Sequence, residues 1–156
     1  MELVILVGTM TGTANLVAQE IELTYGDDQV AISVVQMDDL TPAVFESGKT
    51  YLICTSTYGQ GDVPDNALPF FNALHAERPD LSAIPFGVLG LGDMTYADTF
   101  NYGGAKFEAI LLELGAKQIG ERAIIDASLG ELPEDMGVEW MAQWLEQAKE
   151  TAAGLY

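Results

Sequence analysis

Short apolar runs alternate with segments of helical period along the whole chain, and this alternation restricts the fold more than any other feature. Residues 2–8 are an apolar, β-branched run ending at Gly8, which reads as a strand buried on both faces. Residues 13–25 follow, with Leu16, Val17, Ile21 and Tyr25 at helical spacing. The valine-rich stretch 30–36 predicts a second strand, and 51–56 a third. Residues 66–75 place Leu68, Phe71 and Leu74 on one helical face. Residues 84–91 predict a fourth strand, and 104–114 a helix stopped by Gly115. A fifth strand is expected over 122–126 and a last helix over 134–148, with Trp140 and Trp144 one turn apart on the face that packs on the sheet. Residues 40–48 belong to the second crossover and are expected to be partly helical. The reading is an α/β fold: a doubly wound, five-stranded parallel sheet of order 2-1-3-4-5 with helices on both faces. There is no repeat or linker, so residues 1–156 are expected to form one domain.

Charge narrows the possible partners. The chain carries 24 acidic and 6 basic residues, a formal charge of −18. Such a surface repels nucleic acid and anionic membranes and attracts a basic protein face, although acidity also serves solubility alone. No apolar run approaches a membrane span, and the N-terminal segment does not read as a signal peptide. The single cysteine, Cys54, permits no internal disulfide and fits a reducing compartment, so a cytoplasmic protein is expected.

In an open parallel sheet, ligands bind beyond the carboxyl ends of the strands, near the point where strand order reverses. The loops after strands one, three and four are the unusual ones. The first reads Gly8-Thr9-Met10-Thr11-Gly12-Thr13-Ala14. Hydroxyls and backbone N–H groups there converge on a helix N-terminus, a natural cradle for phosphate. It matches neither a Walker loop nor a GxGxxG turn. The same residues would serve as a plain helix cap through Thr11 or Thr13. The second loop runs from Thr55 and Ser56 through Thr57, Tyr58, Gly59, Gln60, Gly61 and Asp62 to Val63-Pro64-Asp65-Asn66. Its glycines allow close backbone approach to a flat ligand and Tyr58 offers a ring; as a surface turn it would end in a helix capped by Asp65 or Asn66. The third holds Gly90, Leu91, Gly92, Asp93, Met94, Thr95 and Tyr96, then Ala97-Asp98-Thr99-Phe100-Asn101. None of the six basic residues lies in these loops. From the residues alone, the ligand is flat, phosphorylated and anionic, and it is held by neutral donors.

These motifs resemble those of a known family. T-M-T-G-T-A is similar to the FMN phosphate loop of flavodoxins. T-S-T-Y-G-Q-G-D-V-P-D-N resembles the second flavin loop of short flavodoxins and of the FMN domains of diflavin reductases. L-G-L-G-D-M-T-Y…F-N resembles their third loop, and the tail is similar to that of the MioC-type and YqcA-type short flavodoxins. The resemblance spans essentially the whole chain and implies FMN as cofactor. It implies that residues 9–14 hold the phosphate. Ser56, Thr57, Tyr58 and Gly59, with Gly61 and Asp62 beyond them, would line one face and the N5 edge of the ring. Leu91 to Asn101 would line the other, with Tyr96 stacked on it. Asp126 would lie near the ribityl chain. Residues 96–101 depart from the family pattern Y-x-x-F-[NC] by one residue, Ala97, which displaces Phe100 and Asn101.

The implied function is electron transfer by a monomer. It would pass single electrons from a reductase resembling ferredoxin–NADP or flavodoxin reductases to acceptor enzymes with basic docking faces. No residue is required as acid, base or nucleophile. The alternative is an FMN-dependent quinone or NAD(P)H oxidoreductase of the same fold, which the acidic rim disfavours. A response-regulator receiver shares the strand order but needs acidic residues after strand one, where Gly8 and Thr9 stand. His75 reads as a surface or packing residue, and without a second histidine or a partner cysteine no metal site is expected. Cys54 reads as a small buried hydrophobe. Asp62, Asp65, Asp93 and Asp98 are read as a docking rim around the flavin edge.

Overall fold

The structure is a computed structural model. It describes residues 1–9, 12–38, 40–56, 63–92, 102–126 and 132–155, with the backbone alone at 92, 102 and 152–155. The strands are β1 (Glu2–Gly8), β2 (Ala31–Gln36), β3 (Thr50–Ser56), β4 (Pro85–Gly92), β5 (Lys117–Gln118) and β6 (Ala123–Asp126). The helices are α1 (Thr13–Tyr25), α2 (Leu68–Glu77), α3 (Tyr102–Glu113) and α4 (Pro133–Leu155), and a 3-10 turn at Pro42–Val44 is the helical part of the second crossover.

All pairings are parallel, in the order β2-β1-β3-β4-β5, with β6 also paired to β4. The expected fifth strand over 122–126 is β6, and a two-residue strand that the sequence did not suggest, β5, precedes it. Lys117–Gln118 pairs with the start of β4 and Ala123–Asp126 with its end. Between β5 and β6 the chain leaves the ladder at Gly120, whose φ is +67°.

Alternation along the strands divides the core into two layers. Leu3, Ile5 and Val7, with Leu52, Cys54, Leu89 and Leu91, pack on α1 and α4. Leu6, Tyr51, Ile53, Phe86 and Val88 point the other way, onto α2 and α3. Trp144 lies over β4 at Gly87, its Nε1–H donating to the Ile119 carbonyl at 2.9 Å, and Trp140 stacks on it. The expectation that both indoles pack the last helix on the sheet is met, Trp140 from the half-buried side.

Several helix ends differ from the sequence reading. α2 begins at Leu68 rather than 66, because Pro69 lacks an N–H and fits a first turn. α3 begins at Tyr102 and α4 runs on to Leu155. Gly115 stops the third helix as expected, with Ala116 N–H donating to the Leu111 carbonyl.

Candidate functional site

The register decides where the site lies. Gly8 pairs with Thr55, Ser56 with Leu91, and Gly92 with Asp126. The strands β1, β3, β4 and β6 thus end level, and their outgoing loops leave one edge about 14 Å wide, three strand spacings. Thr9, Ser56, Leu91 and Asp126 stand along that edge, and Leu91 and Asp126 are buried there. Met10, Thr11, Thr57, Tyr58, Gly59, Gly61, Asp62, Asp93, Met94, Thr95, Tyr96, Phe100 and Asn101 lie outside the described residues.

The first loop is organised from its root. Gly8 is crowded: a Cβ there would stand 2.9 Å from Thr55 Oγ1, 3.0 Å from Ala67 Cβ and 3.1 Å from Met37 Sδ. Gly12 N–H donates to Thr9 Oγ1 at 3.0 Å, which closes the loop on itself. Gly12 is the N-cap of α1 with φ +88°, left-handed backbone that a residue with a Cβ adopts only with strain. The cap position thus belongs to a residue with no side chain, so the plain-cap reading of Thr11 or Thr13 is corrected. The capping reading of Asp65 or Asn66 fails in the same way, because the N-cap of α2 is Ala67, without a side-chain bond.

Electrostatics suit an anion at this end. The first α1 hydrogen bond closed on the cap is Leu16 N–H to the Gly12 carbonyl, so the amides of residues 13–15 precede any intrahelical acceptor. The first turn has no acidic side chain to compete. Four of the cations are engaged elsewhere. Lys49 lies between Glu2 and Glu46, and Arg78, Arg122 and Lys149 pair with Glu113, Glu108 and Glu146. Beneath α1, the Cys54 thiol faces the Ala14 carbonyl at 3.5 Å; burial pushes its pKa up to about 12, so it stays a neutral thiol. His75 is exposed on α2 and packs edge-on against Phe71, as the sequence suggested.

Two polar residues make contacts that the sequence did not suggest. Asn66 accepts the Thr9 N–H on Oδ1 at 2.8 Å. Gln36, at the end of β2, donates to Asn15 in the first turn of α1. The sequence signal for each is faint, a polar side chain at the rim of an otherwise apolar element.

The Flavodoxin family model matches residues 5–144. The chain belongs to the flavodoxin family. It is 44% identical over 99 residues to Protein MioC of Escherichia coli strain K12, a stretch covering 64% of this chain and 67% of that protein. It is 36% identical over 143 residues to Flavodoxin YqcA of the same strain, covering 92% and 95%. A solved cysteine-to-serine mutant of flavodoxin from Pseudomonas aeruginosa superposes with a TM-score of 0.84 at 31% identity, covering 96% and 99%. The protein is an FMN-binding electron-transfer protein. The residues present fit that cofactor. The glycine-capped N-terminus of α1 and the neutral hydroxyls of the first loop are the donor set that a phosphate without a counter-cation requires. Bound FMN supplies the reversible uptake of electrons, and the protein supplies binding and electrostatics. Among the described residues no helix is long and apolar enough to cross a membrane.

Proposed function

We propose that this flavodoxin is a single-electron shuttle of one domain. Its three loops at the level strand ends would seat FMN, and its acidic rim would dock reductases and acceptor enzymes that have basic faces. Residues 9–14 hold the phosphate through hydroxyls and amides. Ser56 to Gly59 lie against one face and the N5 edge of the ring, with Gly61 and Asp62 beyond them, and Leu91 to Asn101 against the other, with Tyr58 and Tyr96 as the stacking pair. Asp126 faces the ribityl chain. The observation that carries this reading is the register that brings Thr9, Ser56, Leu91 and Asp126 to one edge. The protein works as a cytoplasmic monomer and turns over no substrate of its own.

Two measurements test the proposal. Thr11→Ala should weaken FMN by about 1–3 kcal/mol, as for a lost hydrogen bond to a charged group, and riboflavin should bind the unaltered protein far more weakly than FMN. Equal affinity for the two would overturn the phosphate assignment. Anaerobic titration should resolve two one-electron steps, the second at a more negative potential. A single two-electron wave, or steady NADPH oxidation by the pure protein, would establish the oxidoreductase alternative instead.

A further inference from the structure

The search for a further role leads to Asn66, two residues ahead of α2. The helix does not use it, since its cap is Ala67. The side chain turns instead to the first loop, 57 residues earlier in the chain. Oδ1 accepts the Thr9 N–H at 2.8 Å, and Nδ2 faces the Val7 carbonyl at 3.5 Å. One side-chain amide therefore brackets Gly8, where β1 stops and the loop begins. The next residue, Ala67, presses its Cβ on the same point, where a Cβ on Gly8 would find it at 3.0 Å.

This arrangement has a chemical consequence. Thr9 is held at two atoms: its N–H by Asn66 and its hydroxyl oxygen by the Gly12 N–H. The Thr9 amide is turned into the protein and withdrawn from any anion. The loop that leads to the N-terminus of α1 starts from the Thr9 peptide, whose place Asn66 fixes.

We propose that Asn66 is a positioning residue for the phosphate end of FMN, tying the exit of the second loop to the start of the first. The inference rests on the FMN reading above. Asn66 acts on the peptide and does not itself touch the ligand, so its loss should fall on phosphate binding and spare the ring.

The test compares FMN with riboflavin. In Asn66→Ala the ratio of FMN to riboflavin affinity should fall by about tenfold, the scale of one lost hydrogen bond in a charged site. The Thr9 amide should exchange faster with solvent deuterium in the ligand-free protein. Asn66→Asp keeps an acceptor for the Thr9 N–H and guards against failure of the alanine variant to fold. Its Thr9 amide should remain protected, while the new negative charge beside the loop lowers FMN affinity relative to riboflavin. An unchanged ratio in both variants, or equal loss of both ligands, would overturn the role of Asn66. Absence of discrimination in the unaltered protein would overturn the phosphate reading itself.

Discussion

Replacing Gly12 by alanine isolates the backbone geometry of the phosphate loop. At φ +88° an L-residue carries about 1–2 kcal/mol of strain. Among the described residues no steric term adds to it, because a Cβ at this position meets none of them within 4 Å. Alanine also restricts the unfolded chain relative to glycine, which offsets roughly 0.4–1 kcal/mol. The loaded protein should therefore lose about 1 kcal/mol relative to the unfolded chain. How that loss divides reports on the loop. If the free protein keeps the left-handed turn, its Tm falls by roughly 2–4 °C and FMN affinity is unchanged. If the free loop relaxes, FMN binding carries the whole strain, a loss of about 5- to 30-fold, and the Tm of the free protein rises slightly because the unfolded chain is restricted. Thermal unfolding of the free protein and flavin-fluorescence titration give both quantities. Gly12→Asn, which tolerates this region better, should recover part of the loss. A Gly12→Ala protein with both Tm and FMN affinity unchanged would refute the left-handed cap.

Three further outcomes are expected. A Cβ on Gly87 would overlap the Trp144 indole, so Gly87→Ala should destabilise the fold by about 1–3 kcal/mol of overpacking, read by urea denaturation. Cys54 should resist thiol reagents at pH 8 in the folded protein. Its pKa is raised to about 12 from an ordinary 9.0, so the unfolded chain ionises first, and stability should fall as pH rises from about 9 towards 12; Cys54→Ala should lessen that fall. Reduction of the flavin by a basic reductase should slow as salt rises, and Asp62→Lys with Asp98→Lys should blunt the dependence; a rate flat across salt would speak against electrostatic docking.

The sheet order was legible because each strand is an apolar run and each crossover has a helical period, patterns that local sequence carries. The site edge was legible for a related reason: glycine and threonine cluster where a strand run stops. The short strand ahead of the last one was not. Lys117 and Gln118 have no apolar alternation, and only their neighbour in β4 makes them a strand. Asn66 was hidden because an asparagine before a helix reads as a cap. Its true partner lies 57 residues away, and only the parallel packing of β1 beside β3 brings the two loops together. Local pattern cannot express that contact.

The described part of the edge offers hydroxyls, an apolar surface and one carboxyl. A general acid or base works best when its ionisation lies near the working pH. Of the residues described along the level strand ends, Thr9 and Ser56 offer hydroxyls and Leu91 a hydrocarbon surface, and Asp126 adds one carboxyl at the far end. His75, the one histidine of the chain, stands seven residues into α2 from Leu68, about 10 Å along the helix axis, exposed and packed on Phe71. The Cys54 thiol is buried and neutral beneath α1. Such an edge can bind, orient and shield a flat anion.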